Sequence, residues 1–121
     1  MITRAEISRR IAIFIEPEPF WCEFRYDGLH TKSRLGVWWT GNGYVQEAAD
    51  MYAPDMLIRL IERMPEPELW LESSPDETRK LYGCTANMSA EFGARFAETI
   101  AESVVHTFCL HYNLATPEEL S

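Results

Sequence analysis

The chain has 121 residues, 46% of them hydrophobic, and a formal charge of -8. That length suits one compact domain, and that apolar content excludes disorder for the body of the protein. The negative charge argues against a duplex-binding protein, which carries a basic face for phosphates, and favours a basic protein surface as partner or plain solubility.

The N-terminal stretch MITRAEISRR reads as no signal peptide, because its apolar residues are spaced helically and interrupted by charge. Thr3 and Glu6 have the spacing of a capping box. Ile7, Ile11, Phe14 and Ile15 then share one helical face, and Pro17 ends the helix by removing a backbone donor. In FWCEFRYDG, Phe20, Cys22, Phe24 and Tyr26 alternate with Trp21, Glu23 and Arg25, which predicts a strand closed by Asp27-Gly28. LHTKSR is polar and reads as loop; LGVWW predicts a second short strand, TGNG a turn, and YVQEAADMY fits strand or helix.

Pro54 suits the first position of a second helix. Met56, Leu57, Leu60, Ile61 and Met64 form its apolar face, and Pro65 ends it. ELWLE and RKLYGCTA predict a hairpin across the turn SSPDET. Ser89 is the expected N-cap of a third helix, with Phe92, Phe96, Ile100, Val104 and Phe108 down one side and Asn113 as its left-handed C′ residue. This helix is expected to be the central core element, so Phe96→Ala or Ile100→Ala should cost about 2–5 kcal/mol. ATPEELS reads as a polar tail. The acidic Pro-Glu-Pro segments at 17–19 and 65–67 both fall where a helix stops and a strand begins, and read as punctuation rather than as a repeated motif.

Together these elements predict one α+β domain over residues 1–114, a small antiparallel sheet packed with helices in an α/β/α sandwich-like manner, followed by a polar C-terminal tail at 115–121. No window approaches the roughly 20 apolar residues that span a membrane. Cys22, Cys84 and Cys109 are far apart and odd in number, which suits reduced thiols in a cytosol rather than a disulfide frame.

Candidate chemistry is sparse. His106 and Cys109 stand three apart on the last helix, as two metal ligands would, with Cys22 or Cys84 to complete the set; burial of Cys84 and Cys109 as small hydrophobes is the better reading. His111 is expected to help satisfy the helix C-terminus. Glu16, Glu18, Glu66, Glu68, Asp76 and Glu77 read as solvated turn carboxylates rather than an acid–base pair. No nucleophile elbow, phosphate loop or dinucleotide fingerprint is present, and neither a catalytic residue nor a metal or cofactor is expected. The segment least explained by folding is 20–44, which holds seven aromatic residues with two arginines among them. Interfaces favour aromatics and Arg. Trp21, Arg25, Arg34, Trp38 and Trp39 are therefore the expected protein-binding residues.

TRAEISRRIA, DMLIRLIERM, ELWLESSPDETRKLYGCTA and ARFAETIAESVVHTFCLHY in this order resemble the phage ABA sandwich domain family, small proteins with a short N-terminal helix, a variable loop, a helix, a hairpin and a long Ala-rich helix. The resemblance implies an α/β/α sandwich and a phage or prophage origin, with no established activity and no functional residues. The leading expectation is an accessory protein, not an enzyme, that binds a host or phage protein, inhibition of a host protein being one form. It has neither a membrane nor direct nucleic-acid partner. The alternatives are a small enzyme with a pocket near residues 28–50 built on His30, Glu47 and Asp50, and a structural or assembly protein acting as a homodimer or larger homo-oligomer.

Overall fold

The computed structural model of the chain describes residues 2–15, 21–24, 30–33, 38–40, 45–87 and 95–121; for 21–24, 30–33, 38–40, 45–47 and 95 it describes the backbone. The fold is α+β, and its strands pair antiparallel. The described residues group into two compact units, Ile2–Met51 and Tyr52–Ser121.

In the first unit, helix α1 spans Arg4–Ile15. Thr3 starts it as expected: its Oγ1 accepts the Glu6 N–H at 3.1 Å. The buried stripe is Ile7, Ser8, Ile11 and Ala12, while Phe14 and Ile15, expected on that face, are only half-buried. Small Ser8 and Ala12 take the central positions instead, and the Ser8 hydroxyl accepts the backbone N–H of the fully buried Met51 at 3.1 Å.

Four short strands follow in sheet order: β1 (Trp21–Phe24), β2 (His30–Ser33), β3 (Trp38–Thr40) and β4 (Val45–Glu47). The polar HTKS segment, expected as loop, is the strand between β1 and β3. A ladder is made by backbone groups, and polar side chains do not prevent it. The ambiguous segment at 44–52 supplies β4. The turns expected at Asp27-Gly28 and at TGNG lie outside the described residues, apart from Thr40, which ends β3.

The second unit holds α2 (Pro54–Arg63), β5 (Pro67–Ser73), β6 (Lys80–Ala86), β7 (Arg95–Ala97), α3 (Ile100–His111) and α4 (Pro117–Leu120). Pro54 occupies the first turn of α2 and Pro65 follows its end, as the sequence predicts. Leu57, Leu60 and Met64 are buried, with Met56 and Ile61 half-buried beside them. The hairpin β5–β6 matches its predicted bounds to within a residue or so. Its open end is held by two left-handed residues, Glu66 (φ 43°) and Asn87 (φ 54°). The Asn87 N–H donates to the carbonyls of Pro65 at 2.7 Å and Glu66 at 3.2 Å.

β6 is the central strand and β7 pairs on its far side, so the order is β5-β6-β7. α3 packs against β6, β7 and α2. Its Val104, Val105, Phe108, Cys109 and Leu110 are buried, which makes it a core element as expected. It begins later than expected. Ser89 and Phe92 lie outside the described residues, Phe96 belongs to β7, and Thr99 caps α3 by accepting the Glu102 N–H at 3.2 Å. The four-residue apolar spacing from Phe96 to Ile100 imitates a helix, but pairing with β6 takes Arg95–Ala97 into the sheet. Phe96 and Ile100 remain 46% and 39% exposed.

Asn113 adopts φ 60° after α3, as its C′ role requires. The Leu114 N–H then reaches the Cys109 carbonyl at 2.8 Å. The terminal segment is not a plain polar tail. Thr116 and Glu119 form a reciprocal capping box that starts α4, and Ala115 and Leu120 are buried. Two apolar anchors on either side of a satisfied cap are enough to order this turn. No helix among the described residues is long and apolar enough to cross a membrane.

Candidate functional site

The residues expected to bind a partner fall on the first unit. Trp21 lies on β1 opposite Ser33 of β2. Trp38 and Trp39 lie on β3 opposite Lys32 and Thr31 of the same strand. The backbone thus brings the three tryptophan positions onto one sheet, two on one side of β2 and one on the other. Their side chains, and Arg25 and Arg34 altogether, lie outside the described residues.

An open depression of about 230 Å³ is lined by Arg4, Ala5 and Ser8 of α1 with Ala48 and Asp50, at the edge of the 28–50 segment where a pocket is expected. Arg4 and Asp50 face each other across it at 3.6 Å, both well exposed. Of the three polar groups expected there, Asp50 lines it. The side chains of His30 and Glu47 lie outside the described residues.

Among the described residues no group of three or more His, Cys, Asp or Glu is placed to hold a metal. Cys84 and Cys109 are buried thiols that form no disulfide, and burial pushes the Cys84 thiol up from its ordinary value. The Cys84 carbonyl accepts the Thr107 hydroxyl at 3.2 Å, tying β6 to α3. His111 stands in the last turn of α3 with its ring edge-on to Tyr112. The Tyr112 hydroxyl donates to the Arg63 carbonyl at 2.7 Å, closing the end of α2.

Glu66, Glu68, Asp76 and Glu77 are exposed, as expected of turn and strand-edge carboxylates. Asp76 is the organised one. It accepts from the hydroxyls of Ser74 at 2.5 Å and Thr78 at 2.8 Å, and from the Thr78 N–H at 3.2 Å. These donors lower its pKa from 3.8 to about 2. The arrangement shapes the β5–β6 turn, where Glu77 takes φ 57°.

The sequence reading has β5 as a strand of the hairpin and not as a candidate site. Opposed residues of neighbouring strands share a face, so the register puts Trp70, Gly83 and Phe96 in one row and Leu69 and Cys84 in the next, on the other face. Burial runs out across the sheet. Cys84 is 1% exposed, whereas Leu69 beside it is 39% and Leu71 is 52% exposed. No residue of β5 is buried. On the other face Trp70 meets Phe96 edge-on, with centroids 5.8 Å apart, and its Nε1–H donates to Glu72 at 3.1 Å. The alternation in Glu68-Leu-Trp-Leu-Glu72 announces a two-faced strand, but not which of its sides the rest of the fold would leave open.

Comparison with protein-family models, with curated proteins and with solved structures found no match.

Proposed function

We propose that this chain is a phage or prophage accessory protein that acts by binding another protein, of the host or of the phage, and not by catalysis. The phage origin and a place of action in the bacterial cytoplasm come from the resemblance and the thiol content set out above. The observation that carries the binding reading is the uncovered apolar surface of the second unit. Leu69 and Leu71 on β5 and Phe96 on β7, the two outer strands of the sheet, stand 39–52% exposed. Scattered exposed leucines need no explanation, but apolar side chains on both faces of one strand mark a place where contact with a partner removes surface from water. The formal charge of -8 favours a basic partner over another acidic one.

Affinity capture from bacterial lysate at low salt tests this reading. The expected result is a protein retained by the wild-type chain and lost when Leu69, Leu71 and Phe96 are changed together to Ser. Retention of nothing by the wild-type chain, or of the same protein by the triple variant, overturns it.

A further inference from the structure

We infer that β5 is a docking edge for an extended, basic segment of the partner protein, which joins the sheet as an additional strand. This rests on the protein-binding reading and gives it a partner chemistry. Among the described residues no strand pairs with the outer side of β5, which ends the three-stranded sheet. Among the described residues, no strand takes up the alternate backbone N–H and C=O groups along that side of the seven-residue strand, which are the groups an incoming chain would pair with.

The side chains say which chain. One face of β5 carries Leu69 and Leu71, and the other carries Glu68, Trp70 and Glu72. Glu66 precedes them. No cation pairs with Glu66, Glu68 or Glu72 among the described residues. A strand laid beside β5 places its own residues opposite these. The complement is a basic residue at each end facing Glu68 and Glu72, apolar residues facing Leu69 and Leu71, and any residue compatible with an indole in the middle. Because Glu-Leu-Trp-Leu-Glu reads the same in both directions, that pattern is satisfied by a parallel or an antiparallel partner.

A second copy of this chain is a poor occupant. The fullest two-fold pairing of β5 with itself sets Trp70 against Trp70 and therefore Glu68 against Glu72 twice. Like charges directly opposite are destabilising. The same carboxylates that repel a copy attract a basic strand, which supplies the charge complementarity that selects the partner.

The test uses the full chain, labelled with ¹⁵N, and three blocked synthetic peptides. These are Gly-Lys-Val-Thr-Val-Lys-Gly, its counterpart with Glu in place of Lys, and a reordered peptide of identical composition, Gly-Val-Lys-Thr-Lys-Val-Gly. The lysine peptide is expected to shift the backbone amides of β5 saturably and to bind at least tenfold tighter than the other two. Glu68→Lys/Glu72→Lys changes two exposed side chains, and this variant is expected to prefer the glutamate peptide instead. The inference is overturned by absence of saturable shifts on β5, by equal binding of the reordered peptide, by a preference that does not reverse, or by concentration-dependent shifts of β5 without peptide, which would mean that a second copy fills the edge. Failure here is distinguishable from failure of the binding reading. A captured partner that survives Glu68→Lys/Glu72→Lys leaves that reading standing and removes only the edge.

Discussion

The indole of Trp70 fills the space where a side chain on Gly83 would begin. A Cβ built on Gly83 would lie 2.6 Å from Cζ2 and 2.8 Å from Nε1 of that ring, closer than packed atoms tolerate. Gly83 is thus required by a close approach across the strands, and the same approach sets the indole against Phe96.

Gly83→Ala is therefore expected to destabilise the protein by about 1–3 kcal/mol, the range for overpacking. The indole must leave its position and lose its edge-on contact with Phe96. With Trp70→Ala in the background, the Gly83→Ala change should cost much less. Urea denaturation of the four proteins in this cycle measures the difference, and an equal cost in both backgrounds would show that the ring is not what excludes the methyl group.

Phe108 and Phe96 separate the true core from the apparent one. Phe108 is fully buried on α3, so Phe108→Ala should cost about 3–5 kcal/mol. Phe96 is 46% exposed and loses chiefly its contact with Trp70, so Phe96→Ala should cost about 0.5–1.5 kcal/mol. Denaturation midpoints that rank these two the other way round would contradict the placement of Phe96 on β7.

Asp76 gives a signature at low pH. Its folded pKa is depressed to about 2 from 3.8, so the stabilisation it contributes is fully present above the unfolded value and is lost as pH falls toward 2. The stability difference between wild type and Asp76→Ala is expected to be constant near neutrality and to shrink between pH 4 and pH 2. Carboxyl-carbon NMR titration should find its midpoint near 2. A midpoint close to 3.8 would mean that the Ser74 and Thr78 donors do not act on it.

Asn113 tests the helix end. At φ 60° it occupies a region that β-branched residues avoid, at a cost of roughly 1–2 kcal/mol. Asn113→Val should lower stability by about that amount and Asn113→Gly should leave it unchanged or slightly raised, as read from thermal unfolding. A valine variant as stable as wild type would place the chain reversal elsewhere.

Much of the second unit was legible in the residues because its signals are local and chemically strict. Pro54 and Pro65 bracket α2, the β5–β6 hairpin shows its alternation, and Asn113 marks the left-handed end of α3. Two signals of the same kind were available and unused. Thr99 and Glu102, and Thr116 and Glu119, each have the Thr-x-x-Glu spacing, and they mark the starts of α3 and α4. What local pattern could not supply was competition between distant segments. His30–Ser33 becomes a strand because two neighbours pair with it, and Phe96 leaves the helix because β6 offers its free side. The openness of β5 has the same origin, since coverage depends on where α3 lies and not on the sequence of the strand itself. The expected cluster of Trp21, Arg25, Arg34, Trp38 and Trp39 remains a matter of sequence, beyond the sheet positions of its three tryptophans.

The open end of the β5–β6 hairpin bears on how tightly an edge partner can be held. Pro65 and Pro67 have ring-fixed φ angles on either side of Glu66, and the Asn87 N–H clamps the two carbonyls before β5. The strand is stiff before anything meets it, so nearly all the ordering entropy of association falls on the incoming segment. A cyclic hairpin that presents the lysine peptide already extended should therefore bind more tightly than the linear peptide without making a single additional contact.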